Sequence, residues 1–262
     1  MKKQKSNKLN YFIHTYLANR PAFFSFIRPQ EALLFDKNKK IIKSPILDFG
    51  CGDGFFAQLV FEKKLDIGLD LKINPRVWEA KKNKIYKKIT LYDGKKIPYP
   101  SNHFQTVISN CVLEHIPNIE MSLQEIYRIL KPGGYFITSV MTNEWENYFF
   151  GSRIFGSHYI KFMKKKQEHY NLFSIEKWKK TFLKTNFKIA KITGYLSPNT
   201  SMFIDIFHYL SIFSLLSYKL FKKWVLFPKL IATTSMNQFI EAKITKPISL
   251  KKAAGLFFIL KK

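Results

Sequence analysis

Residues 46–56 read Ile-Leu-Asp-Phe-Gly-Cys-Gly-Asp-Gly-Phe-Phe, ILDFGCGDGFF. The run 46–49 has the length and apolar character of a buried strand, and it stops at glycines 50, 52 and 54, each two residues apart. Such a turn lets bare backbone approach a ligand, and the helix that follows offers free N–H groups at its first turn. A dinucleotide cradle, G-x-G-x-x-G, would need glycine at position 55, which is Phe55, so pyrophosphate binding is disfavoured. A second carboxylate, Asp70, closes the next apolar run in IGLDL, 22 residues beyond Asp48. In nucleotide-type folds that is where a carboxylate grips a ribose diol.

Working outward, the pattern alternates between strand and helix. Helices are expected at 54–63, 75–82 and 121–130, and strands at 66–71, 85–90, 104–109 and 135–140. Lys131-Pro132-Gly133-Gly134 reads as a helix stop and turn. Alternation of this kind means a parallel sheet with crossover helices. After residue 140 come an aromatic and basic stretch, a helix at 174–184, a strand at 187–193, an apolar helical stretch and an alternating run at 237–244 read as the last strand. Upstream, residues 9–35 suggest two helices broken near Arg20-Pro21.

With these stretches in order, the chain resembles the class I S-adenosylmethionine-dependent methyltransferases, particularly their broad small-molecule and lipid-directed group. The likeness covers about residues 45–140. It rests on D-x-G-C-G-x-G at 48–54, Asp70, Tyr92-Asp93-Gly94, Ile97-Pro98-Tyr99, SNCVLEHIPN at 109–118 and ILKPGGYFI at 129–137. The resemblance implies an α/β, Rossmann-like sheet of seven strands with helices on both faces, to which the residues outside it add an N-terminal helical cover and a helical insertion between the last two strands. It also implies S-adenosyl-L-methionine as cofactor. Asp48, Gly50 and Gly52 would surround the methionyl part, Asp70 the ribose, Asp93 the adenine amine, and Asn110 the sulfonium end. Cys51, Leu71 and Gly94 complete the implied set.

A sulfonium methyl is already activated, so the enzyme mainly aligns an acceptor in a dry pocket, with a base needed only when the acceptor must lose a proton. Preferred acid–base candidates are His115, by its position after the fourth strand, then His169, with His158 and Tyr170 behind them. An Asn-Pro-Pro-Tyr type tetrapeptide, which in the family marks methylation of amino groups, is replaced by Ser109-Asn110-Cys111-Val112. Oxygen or carbon acceptors are therefore expected. Cys51 and Cys111 read as small fillers, and no disulfide or metal site is indicated.

The 262 residues carry a formal charge of +26, unevenly spread: +8 over 1–44, +3 over 45–140 and +15 over 141–262. A nearly neutral core with basic flanks suggests an anionic partner or surface. The stretch 201–227 is rich in Phe, Leu and Ile and is followed or interrupted by Lys219, Lys222 and Lys223, while the end, SLKKAAGLFFILKK, repeats that combination. These features favour a hydrophobic acceptor, lipid-linked or glycan, and peripheral association with an anionic membrane face from the cytoplasm. The alternative is an RNA methyltransferase whose basic flanks bind phosphates, with Lys161–Lys166 as its best patch. That alternative is weaker because most aromatic residues sit among aliphatic ones. The expected organisation is a basic helical segment at 1–44, a core at 45–194 plus 236–247, an apolar helical insertion at 195–235, and a basic-apolar tail at 248–262.

Overall fold

The computed structural model describes residues 2–262, with side chains from Asn7 onward. The chain divides into two compact units, one formed by residues 34–142, 168–193 and 255–262, the other by 1–33, 143–167 and 194–254.

The first unit is a seven-stranded sheet in the order β3-β2-β1-β4-β5-β7-β6. Its strands are β1 (Ile46–Phe49), β2 (Leu65–Leu71), β3 (Tyr86–Tyr92), β4 (Phe104–Asn110), β5 (Leu130–Met141), β6 (Lys188–Tyr195) and β7 (Gly255–Lys261). The pairs β1–β2, β2–β3, β1–β4 and β4–β5 are parallel, and β7 runs antiparallel to β5, Tyr135 opposite Lys261 through Met141 opposite Gly255. Helices α3 (Phe55–Val60), α4 (Val77–Asn83), α5 (Ile119–Ile129) and α7 (Ile175–Lys184) connect the strands. The expected KPGG turn lies within β5, where the pairing with β4 slips between Phe104 and Thr106. Ser174 caps α7, its hydroxyl accepting from the N–H of Lys177 at 3.3 Å. Ser174→Ala is expected to lower stability by about 1 kcal/mol in urea denaturation, an ordinary capping loss.

Two expectations at the C-terminal end are corrected. Residues 237–244 are not a strand but most of helix α11 (Thr234–Ile244), capped by the Thr233 hydroxyl, with Ile240 and Ile244 buried four residues apart on one face. The closing strand is β7, drawn from the stretch that the sequence presents as a basic-apolar tail. Leu256 to Leu260 are all buried. Phe257 meets the Phe35 ring at 5.0 Å and its neighbour Phe258 meets Phe182 at 4.9 Å. Adjacent residues of a strand point to opposite faces, so β7 is covered on both sides and shows no polar alternation to read. The helical insertion between the last two strands accordingly extends to residue 254 rather than 235.

The second unit is helical. It contains α1 (Lys2–Asn19), the start of α2 (Phe24–Lys37), α6 (Phe150–Lys166), α8 (Pro198–Leu210), α9 (Ile212–Phe221), α10 (Pro228–Ile231) and α11. Phe26 is fully buried and contacts the rings of Phe203, Phe207 and Phe239. The buried Glu31 is satisfied by Arg28 at 2.7 Å and by the Tyr195 hydroxyl at 2.8 Å. Asp205 on α8 ties α6 to it, accepting from the Gly151 N–H at 2.9 Å and the Tyr159 hydroxyl at 2.6 Å. The apolar stretch 201–227 is built as most of α8 and as α9, bent by 46° at Ser211, followed by an irregular segment.

Candidate active site

The glycine turn at the end of β1 is built as its sequence demands. Gly50 adopts φ +77° and Gly52 φ +54°, left-handed values that cost other residues about 1–2 kcal/mol. Their roles differ. A Cβ on Gly50 would lie 2.6 and 2.7 Å from the two methyl groups of Val112, so this glycine allows the segment after β4 to pack against the turn. A Cβ on Gly52 would meet nothing within 4 Å. The space above Gly52 is open, as a ligand lying on the backbone requires.

Asp70, at the C-terminal end of β2, joins that turn directly. Its Oδ2 accepts from the Gly52 N–H at 2.7 Å, and its Oδ1 accepts from the Leu71 N–H at 2.7 Å and the Asn74 side-chain amide at 3.0 Å. The carboxylate is therefore held in one orientation, with Oδ2 retaining acceptor capacity for a hydroxyl. Leu71 beside it is 36% exposed, and Gly94 (φ +83°) lies against it, a Cβ there falling 3.1 Å from the Leu71 side chain. Asp93 is exposed and one oxygen accepts from the Lys95 N–H at 3.0 Å, which holds its carboxyl below the usual range. Asp70, Leu71 and Gly94 thus lie side by side at the C-terminal ends of β2 and β3.

Asp48 stands apart from these residues in character. It is buried, and its Oδ2 accepts from the Tyr86 hydroxyl at 2.6 Å. Tyr86 is on β3 and Asp48 on β1, with β2 between them. Gly68 of β2, directly opposite Asp48 in the parallel register, makes the reach feasible, because a Cβ there would lie 3.0 Å from the Tyr86 ring. Burial pushes the Asp48 carboxyl up to about 7; the Tyr86 hydrogen bond opposes this and the nearby Asp70 charge adds to it. Cys51 is also buried, and burial together with Asp48 and Asp70 pushes its thiol far up, so it stays a neutral filler. Neither Tyr86 nor Val112 was singled out from sequence. The signal available was Gly68, a glycine inside an otherwise apolar strand, which marks a close approach.

At the end of β4, Asn110 accepts from the Ser139 hydroxyl at 2.6 Å, which orients its amide. His115 and His169, 54 residues apart in sequence, are brought together with ring centroids 4.7 Å apart. The loop carrying His169 is clamped to the segment after β4: the N–H groups of Tyr170 and Asn171 donate to the Glu114 carbonyl, and the Asn171 side chain donates to the carbonyls of Leu113 and Ile116. His115 is exposed and His169 buried. The His115 Nδ1 lies 3.2 Å from the Glu168 carbonyl, which only accepts, so Nδ1 carries the proton and Nε2 the lone pair in the neutral ring. His158 lies on α6 and is exposed, as is Tyr170. Among the described residues no group of three or more His, Cys, Asp and Glu is arranged to hold a metal ion.

Comparison with known proteins agrees with this architecture. A family model described as a methyltransferase domain matches residues 10–192. A ubiquinone/menaquinone biosynthesis C-methyltransferase of Rickettsia akari is 30% identical over 120 residues, 41% of this chain and 48% of that protein. A sterol 24-C-methyltransferase of Pneumocystis carinii is 34% identical over 110 residues, 38% of this chain and 29% of that one. The chain thus spans about half or less of the length of these curated relatives. Among solved structures, a SAM-dependent methyltransferase of Thermotoga maritima, described as a possible histamine N-methyltransferase, superposes with TM-score 0.56 at 18% identity, covering 100% of both chains. That likeness is one of fold.

Proposed function

Since the chain belongs to the methyltransferase-domain family, we propose that it transfers a methyl group from S-adenosylmethionine to an oxygen or carbon of a hydrophobic, lipid-linked or glycan acceptor at an anionic membrane face. The observation that carries the cofactor half is the hydrogen bond from Gly52 N–H to Asp70, set beside open space over Gly52. When bound, the cofactor supplies a methyl group already activated by its sulfonium. The chain's own work is to hold it. Asp70 would accept the ribose hydroxyls, the Gly52 backbone, with Asp48 and Gly50, would hold the methionyl part, and Leu71, Asp93 and Gly94 would line the adenine. The amide of Asn110, oriented by Ser139, would meet the sulfonium end, and the buried Cys51 would fill space at the turn.

For an acceptor that must lose a proton, His115 has the geometry of the base: Nδ1 is committed to a carbonyl and Nε2 carries the lone pair, while His169 packs against its ring. A carbon acceptor of apolar character is supported by the names of two of the relatives above, C-methyltransferases of a quinone pathway and of sterols. The replacement of the amine-marking tetrapeptide by Ser109-Asn110-Cys111-Val112 points the same way.

Calorimetry tests the cofactor half. One molecule of S-adenosylmethionine is expected to bind per chain, and Asp70→Ala to weaken it by about 1–3 kcal/mol through loss of charge-assisted hydrogen bonds to the ligand and of the acceptor that orients Gly52. Unchanged affinity in the variant would displace the site. Binding of NAD in place of S-adenosylmethionine would refute the reading. The acceptor is tested by mass spectrometry of lipid and glycan extracts from cells with and without the gene, seeking a species that differs by one CH2 group.

A further inference from the structure

Ordinary surface helices bury one face, and α9 does not. Its one buried residue is Ser217, and α10 buries none. Phe213 is 72% exposed, Leu220 74% and Leu230 75%, with Ile212, Leu216, Phe221 and Phe227 exposed beside them. So many exposed large apolar side chains on one short segment are rare on a protein that meets only water. Charge is arranged around it in one sense. No acidic residue occurs between Asp205 and Glu241, while Lys219, Lys222, Lys223 and Lys229 lie in that interval.

We propose that α9, α10 and the segment joining them lie in the interfacial layer of an anionic lipid bilayer, apolar side chains toward the acyl chains and ammonium groups among the headgroups. This deepens the membrane-face reading above and rests on it. Two observations select a bilayer over a protein partner. The lysines complement anionic headgroups, whereas a second copy of this chain would bring the same four cations into the contact with no carboxylate to meet them. Tyr218 on α9 stacks at 4.2 Å on Trp224 of the connecting segment, with Lys222 over the Tyr218 ring at 5.7 Å. An aromatic pair with a neighbouring cation suits the boundary between headgroups and hydrocarbon.

Geometry also favours lying on the bilayer over crossing it. Among the described residues no single helix is long and apolar enough to span, and α8 and α9 pass that test only as a pair bent by 46°. The ten residues of α9 reach about 15 Å, half a hydrocarbon core. Moreover α8 is committed within its own unit: Asp205 holds Tyr159 and Gly151, and Phe207 packs on Phe26 at 4.9 Å. Insertion therefore begins after Ser211, and Lys219 reaches headgroups along its flexible stem.

The test is flotation of the full chain with vesicles of phosphatidylcholine, and of phosphatidylcholine containing about one third phosphatidylglycerol, at low and high salt. Binding to the anionic vesicles is expected to be at least ~10-fold tighter, with part of it surviving high salt because apolar insertion is not screened. Phe213, Leu220 and Phe221 are more than half exposed, so Phe213→Ser, Leu220→Ser and Phe221→Ser together should spare the fold while reducing vesicle binding ~10-fold or more. The companion variant Lys222→Gln, Lys223→Gln and Lys229→Gln should remove the anionic preference. Calorimetric cofactor binding by the apolar variant, unchanged from the parent, would separate a failure of this surface from a failure of the methyltransferase reading. The proposal is overturned if the parent chain ignores both vesicles, if the apolar variant binds them as well as the parent, or if the parent forms a dimer that the same variant abolishes.

Discussion

Gly50→Ala is expected to cost about 2–5 kcal/mol of stability and to abolish cofactor binding, the largest effect of any single methyl group added to this chain's glycine turn. Two penalties combine. The residue sits at φ +77°, and its new Cβ would fall within 2.7 Å of both Val112 methyl groups. Val112 is not a flexible tip: the neighbouring Cys111 N–H is fixed to the Ser139 carbonyl at 3.1 Å, so relief requires moving the end of β4. The same shift would disturb Asn110 and the Gly52–Asp70 hydrogen bond. Gly52→Ala provides the contrast. Its Cβ meets no protein atom, so it should cost the fold only the left-handed penalty of about 1–2 kcal/mol, yet still obstruct a ligand lying on the turn. Urea denaturation and calorimetry on both variants read the difference. Equal stability loss at the two positions would show that Val112 yields easily, and intact cofactor binding in both would move the ligand elsewhere.

The second large effect is a stability that falls as pH rises toward neutrality, owing to Asp48. Its carboxyl titrates at about 7 in the folded chain against an ordinary value of 3.8. Between those values the folded chain keeps a proton that the unfolded chain has released, so raising the pH favours unfolding. The contribution is fully present below pH 4, is lost progressively up to about pH 7, and amounts to roughly 4 kcal/mol. Other carboxylates run the opposite way at lower pH, among them Glu125, which its hydrogen bonds from Arg128 hold below the usual range. The measurement is therefore a difference: parent minus Asp48→Asn, in urea, from pH 4 to pH 8. Asparagine keeps an acceptor for the Tyr86 hydroxyl and cannot titrate, so the difference should slope across that interval and level off above it. A flat difference would mean that the Asp48 carboxyl is ionised throughout. A cationic ligand beside Asp48 favours its charged form, so cofactor binding is also expected to release protons below pH 7.

How much of this was legible beforehand varies with the range of the interaction involved. Local signals carried the parallel half of the sheet. Short apolar runs placed β1 through β4 within two residues and β5 within five, since each strand and crossover helix is written in contiguous residues. The turn at Gly50 and Gly52 was readable for the same reason, because left-handed backbone demands glycine whatever surrounds it. Resemblance to a family then supplied an implied role for Asp70, and the structure shows how Asp70 is oriented, by Gly52, Leu71 and Asn74.

What only the tertiary structure decided lies where a residue's environment comes from distant parts of the chain. The run at 255–261 has no alternation because both its faces are covered, one by Phe35 and the other by Phe182, and from sequence a doubly covered strand looks the same as an interfacial tail. Residues 237–244 alternate enough to suggest a strand, yet Thr233 caps them as a helix whose Ile240 and Ile244 share a buried face. Asp48 is raised by burial against the opposing hydrogen bond of Tyr86, which reaches it across a strand at Gly68, and the histidine pair depends on a loop 54 residues away being clamped at Glu114. A sequence by itself determines what backbone conformations are affordable and where apolar residues recur. Which faces become buried, and therefore which carboxyl stays protonated and which apolar helix is left in the open, follows only when distant segments exclude water from one another.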